Sequence, residues 1–95
     1  MRNYEVLFIL DPVMDDAARN AAVDKVVAII NENGEAGDPD LWGKRRLAYE
    51  VNRKTEGFYV LIQFKAEPEL PKELDRRLKI SDDVMRHIIV CQDKK

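Results

Sequence analysis

Two periods of hydrophobic alternation run through this chain. Residues 4–10 are largely apolar, are closed by Asp11-Pro12, and read as a strand near the middle of a sheet. Past that strand, Asp15 can cap a helix in which Val23, Val26, Val27 and Ile30 recur at helical spacing, which gives the helix one apolar stripe. Gly34 is expected to end this helix in the left-handed conformation. A polar loop at Gly37-Asp38-Pro39-Asp40 comes next. A strand over about residues 41–51 then alternates, with Leu47, Tyr49 and Val51 on one face and Trp42, Lys44, Arg46 and Ala48 on the other. Gly43 is a candidate bulge within it. Residues 52–57 read as a turn into a strand over 58–64, so the two strands form a hairpin. Pro68 and Pro71 suit the start of a second helix, where Leu70, Leu74 and Leu78 repeat every fourth residue. Ser81-Asp82-Asp83 breaks it, and residues 84–91 have the β-branched content of a closing strand.

The order strand, helix, strand, strand, helix, strand is the split βαβ pattern of an α+β, ferredoxin-like fold. Right-handed crossovers put both helices on one face of a four-stranded antiparallel sheet, and residues 1–95 are expected to form a single domain. Alternation assigns Tyr4, Val6, Phe8, Leu10, Phe58, Val60, Ile62 and Phe64 to the covered face. The open face receives Glu5, Leu7, Ile9, Tyr59, Leu61 and Gln63, with Trp42, Lys44 and Arg46 from the second strand. Its apolar centre, formed by Leu7, Ile9, Trp42, Tyr59 and Leu61, is the composition of a protein-partner surface. The plainer alternative is an exposed sheet with scattered apolar residues.

Composition changes this picture only in places. With Cys91 as the one cysteine in 95 residues, neither an internal disulfide nor a cysteine-rich metal site is expected, and a reducing cytoplasm fits. No signal-peptide pattern is read at the start, and no apolar run approaches the roughly 20 residues that cross a bilayer, so a soluble, cytoplasmic protein is expected.

Net charge is −2, which by itself argues against nucleic acid. Its distribution argues otherwise. Residues 11–40 carry eight acids against two bases, a balance of −6, whereas residues 42–54 carry five bases against one acid, a balance of +4. Gly43-Lys44-Arg45-Arg46 is the densest basic run, suited to phosphate contact and equally to protecting a sheet edge from aggregation.

Arg86-His87 invites an acid–base reading, but His87 is the one histidine and no nucleophile constellation completes a triad, so no catalytic residue is expected. Asp15-Asp16 and Asp82-Asp83 sit at element boundaries, where capping accounts for them. No metal-ligand spacing and no phosphate-cradling glycine loop appear, so no metal, cofactor or small-molecule substrate is expected. The residues 57–64 also lack the basic-glycine-aromatic order of the RNA-recognition domains that stack bases on their third strand.

Four blocks carry a family resemblance: Met1-Arg2-Asn3-Tyr4-Glu5-Val6, Trp42-Gly43-Lys44-Arg45-Arg46-Leu47-Ala48-Tyr49, Lys54-Thr55-Glu56-Gly57-Phe58-Tyr59-Val60 and Ser81-Asp82-Asp83-Val84-Met85-Arg86-His87. Through them the chain resembles bacterial small-subunit ribosomal protein six over essentially its whole length. Glu50 and Val51 depart from the proline and isoleucine that members often carry there. The resemblance implies a structural constituent of the cytoplasmic ribosome, not an enzyme, that pairs with small-subunit ribosomal protein eighteen and binds the central domain of small-subunit ribosomal RNA. The matching positions that could touch RNA are Arg2, Lys44, Arg45, Arg46, Arg53, Lys54, Arg86 and His87. A ferredoxin-like regulatory module binding a small ligand at a dimer interface is the alternative, with a small hydrolase third.

Overall fold

The computed structural model describes residues 1–51 and 53–92, and for residues 48, 49 and 51 the backbone alone. Its elements are β1 (Arg2–Leu10), α1 (Asp16–Asn33), β2 (Gly34–Ala36), β3 (Asp40–Val51), β4 (Lys54–Ala66), α2 (Glu69–Lys79) and β5 (Val84–Cys91). Every pairing is antiparallel, with β1 and β4 central, β5 on the outer side of β1, and both β2 and β3 against the outer side of β4. Tyr4, Val6, Phe8 and Leu10 of β1 and Val60, Ile62, Phe64 and Ala66 of β4 share one buried cluster with Val23, Val26 and Ile30 of α1 and Leu70, Leu74 and Leu78 of α2. Both helices therefore cover the same face, as a ferredoxin-like fold requires. Each such leucine, fully buried, contributes roughly 1.5–3 kcal/mol of transfer free energy.

The sheet has five strands where alternation gave four. The extra one, β2, is three residues long and lies on the same edge of β4 as β3. β4 runs for 13 residues, and β3 pairs with it only as far as Leu61. Residues 34–36 supply backbone partners for the remainder, and the Gly37 N–H then donates to the Gln63 carbonyl at 2.7 Å. For the same reason Gly34 is not a left-handed cap: the chain passes straight from α1 into β2, and Gly34 is extended at φ −164°. The hairpin turn is also shorter than expected. Thr55, Glu56 and Gly57 belong to β4, Val51 pairs with Lys54, and Arg53 sits at φ +64°. Asn52 lies outside the described residues.

The register of β3 breaks between Leu41 and Gly43, where Gly43 adopts φ +86°. A bulge inserts one residue and so reverses alternation beyond it. Lys44 consequently pairs with Phe58 and Arg46 with Glu56, on the helix side, whereas Arg45 pairs with Gly57 on the open side. This corrects the expectation that Lys44 and Arg46 share the open face with Trp42. Leu47 also lies on the open side, 3.5 Å from where a Gly57 Cβ would stand.

At the other end of the molecule, Arg77 joins the helices. Its Nη1 donates to Glu32 Oε2 on α1 at 3.0 Å, and its Nε donates to Glu73 Oε2 at 2.7 Å. Hydrogen bonds from Arg76 first and Arg77 second hold the Glu73 carboxyl down at about 2 from an ordinary 4.5. A carboxylate lowered on folding stabilises the fold above its unfolded value and loses that contribution as pH falls through the folded one. Acid titration should therefore show Glu73→Gln losing less stability than the wild-type chain between pH of about 4.5 and about 2, with a constant difference above that window. A parallel pair of curves would refute it.

Gly57 is a second test of the packing. A Cβ there would stand 2.2 Å from Ile9 Cγ2, closer than two carbons can approach. Gly57→Ala should destabilise the chain by about 1–3 kcal/mol, measured as a lowered urea midpoint with an unchanged slope.

Candidate functional site

The unbroken β1–β4 register sets out the open face in rows. One row runs Ile88, Leu7, Leu61, Asp40 from β5 to β3, and the next runs Arg86, Ile9, Tyr59, Gly43. Leu7, Ile9, Tyr59 and Leu61 are half-buried on the face away from the helices, in contrast to their neighbours Val6, Phe8, Val60 and Ile62, which are buried. β5 extends the apolar surface with Ile88, 60% exposed, and Val90, 45% exposed. Sequence reading missed both, because the offset between β1 and β5 shifts at Ile9/Leu10 and a strand's face cannot be assigned without its register. The alternating burial of residues 86–89 is the signal that only a fixed register could read.

Trp42 closes the face on the β3 side. Its indole Nε1 donates to Asp40 Oδ2 at 3.1 Å, and its ring lies parallel to Tyr59 with centroids 6.3 Å apart and planes 3° apart. The Arg45 guanidinium stands 5.2 Å over the same indole. A cation at this distance from an aromatic face is held by the ring quadrupole, by about 0.5–1 kcal/mol at an exposed site.

The eight basic candidates do not form one patch. Lys44, Arg45, Arg46 and Arg53 are exposed on the β3–β4 hairpin, which extends past the end of β1. Lys54 is half-buried and paired with Asp11 at 3.5 Å. Arg86 shares the open face and the hairpin end of the sheet. Arg2, which pairs with Ala66, stands at the far end of β4, roughly 40 Å of extended strand from Lys54.

His87 faces the helices. Its Nε2 is 2.6 Å from Asp75 Oδ1 on α2, with the imidazole only 10% exposed. An ionised carboxylate only accepts, so Nε2 carries the proton. This bond first, and the bond from Lys79 second, lowers the Asp75 carboxyl below its usual range. The pair ties α2 to β5.

Among the described residues, no cluster of three or more His, Cys, Asp or Glu side chains is placed to hold a metal ion. Among the same residues, no helix is long and apolar enough to cross a membrane. A partly apolar sheet face bordered by a basic hairpin, with the one histidine joining two elements, makes this a ferredoxin-like α+β protein with a candidate interaction face.

The comparisons make the class particular. The family described as Ribosomal protein S6 matches residues 3–91. The chain is 50% identical over 95 residues to the small ribosomal subunit protein bS6 of Clostridium novyi (strain NT), covering 99% of this chain and 100% of that one. Its likeness to the protein of the same name from Clostridium acetobutylicum is 48%, with the same coverage. The crystal structure of 30S ribosomal protein S6 from Thermotoga maritima matches with a TM-score of 0.90 at 28% identity, covering 96% of this chain and 87% of that one. The chain belongs to the ribosomal protein S6 family, a family of structural proteins of the small ribosomal subunit.

Adjacent positions on β4 test the face assignment. Leu61→Glu puts a charge where water already reaches and should shift the unfolding free energy by no more than about 1 kcal/mol. Ile62→Glu puts the same charge into the core and should abolish folding, seen as loss of the cooperative transition.

Proposed function

We propose that residues 1–95 act as one domain that binds the central domain of small-subunit ribosomal RNA together with small-subunit ribosomal protein eighteen. The observation that carries this reading is the continuity of the uncovered apolar face with the basic hairpin, joined where Arg45 lies on Trp42. An apolar surface reaching from Trp42 on β3 to Ile88 on β5 has a favourable destination only against another apolar surface, which suits a protein partner. Lys44, Arg45, Arg46 and Arg53 project beyond that surface, where RNA phosphates can be reached without displacing the partner. Arg86 borders the same end. His87, taken up by Asp75, and Arg2, at the far end, are assigned no RNA contact in this reading.

Charge gives the order of assembly. A chain at −2 overall that offers a handful of phosphate contacts binds RNA weakly at physiological salt. A basic partner on the open face supplies the missing positive charge and completes a composite surface, so the two should bind cooperatively, with a coupling of roughly 1–3 kcal/mol. Linkage makes the coupling reciprocal: each protein raises the other's RNA affinity by the same factor. Filter binding to a central-domain transcript, with the two proteins added in either order, should show that equality. Equal affinity of this chain alone and of the mixture at the same salt would sink the proposal.

A further inference from the structure

We infer that Arg45 is the hairpin residue that grips an RNA phosphate, and that Trp42 is a positioning residue that holds its guanidinium ready; the inference rests on the RNA-binding reading above. The hairpin carries five cations, and their surroundings separate them. Lys54 is engaged by Asp11. Lys44 and Arg46 lie on the helix side of β3, away from the apolar face. Arg53 stands at the tip with a backbone fixed at φ +64°. Arg45 is on the open side, at the border between the apolar face and the hairpin. A phosphate bound to it would sit where partner and RNA meet.

Geometry adds what charge does not. A free arginine loses several rotors when it binds, and that ordering subtracts from affinity. Here the guanidinium already lies 5.2 Å over the indole, and the indole is fixed in turn by Asp40 and by the Tyr59 ring. A guanidinium held over the ring in this way keeps N–H donors for two parallel bonds to phosphate oxygens, a geometry an ammonium cannot reproduce. The Asp40 carboxylate accepts the indole N–H.

The test uses the full chain, small-subunit ribosomal protein eighteen and a central-domain transcript. Arg45→Ala should lower RNA affinity about tenfold and reduce the salt slope by about one. Arg45→Lys keeps the charge and should still bind roughly threefold more weakly, with the slope unchanged. Trp42→Leu should cost roughly threefold, and Trp42→Phe should recover most of that loss, since an aromatic face is restored. Because the chain has one tryptophan, its indole N–H gives one resonance in an isotope-labelled sample, which should move on RNA binding in the wild-type complex and not in the Arg45→Ala complex. Arg45→Lys binding as tightly as wild type would show that charge alone is used and overturn the inference. So would Arg45→Ala weakening partner docking without RNA while leaving RNA affinity unaltered, which would assign Arg45 to the protein interface. Failure of the wild-type mixture to bind the transcript would overturn the functional reading itself, and Arg45's role with it.

Discussion

The pairing of β1 with β4 is the constraint on which the other features depend. It runs from Arg2 opposite Ala66 to Leu10 opposite Phe58 without a shift, and both strands are interior. Because side chains alternate, this single register decides at once which residues meet the helices and which meet the outside. Val6, Phe8, Val60 and Ile62 are fully enclosed, and Leu7, Ile9, Tyr59 and Leu61 stand on the uncovered side. A one-residue slip would bring Leu7 and Ile9 under α1 and α2 and expel Phe8. Core and uncovered face are thus one property of the fold, seen from its two sides.

Control of alternation weakens toward the sheet edges, and there the sequence was least legible. The central strands and both helices could be read from period alone, because Leu70, Leu74 and Leu78, or Val6 and Phe8, have no competing arrangement that buries them. β5 was bounded correctly at residues 84–91. β3 was not readable in the same way. Gly43 marked a bulge, but its consequence, reversed alternation over Lys44, Arg45 and Arg46, depends on where the extra residue is accommodated; a run of three charges gives no hydrophobic signal to correct the count, and the register shifts again between Arg46 and Val51. Lys44, Arg45 and Arg46 are all charged, so either assignment leaves two or one of them outside with similar cost.

His87 shows the same limit from the opposite edge. Next to Arg86 and within a family block, it reads as a surface base. The strand register turns adjacent residues to opposite faces, sending Arg86 to the open side and His87 to Asp75. Asp75 lies on another element, and nothing in local spacing announces the contact. The imidazole serves the fold by closing the seam between α2 and β5, where Ile89 and Val84 pack against the core beside it. An edge strand held by a polar tie as well as by backbone pairing keeps its outward residues, Ile88 and Val90, in a defined position.

The proposed approach of a net negative protein to RNA raises a question of range rather than of sign. At physiological salt the Debye length is about 8 Å, and the molecule measures 37 × 28 × 22 Å, so charges at its opposite ends scarcely sense each other through water. Several of the acids that make residues 11–40 so negative are also occupied locally. Asp11 pairs with Lys54, Asp15 caps α1 through the Ala18 N–H, Asp16 pairs with Arg19, Glu32 with Arg77, and Asp40 accepts from Trp42. Each of these carboxylates has its field partly cancelled within a few ångströms. The hairpin cations other than Lys54, at the end of the sheet and projecting from it, are left to act on their immediate surroundings. Acidic and basic surfaces can therefore coexist on 95 residues because screening divides the molecule into local fields, and the sign that matters at the hairpin is its own.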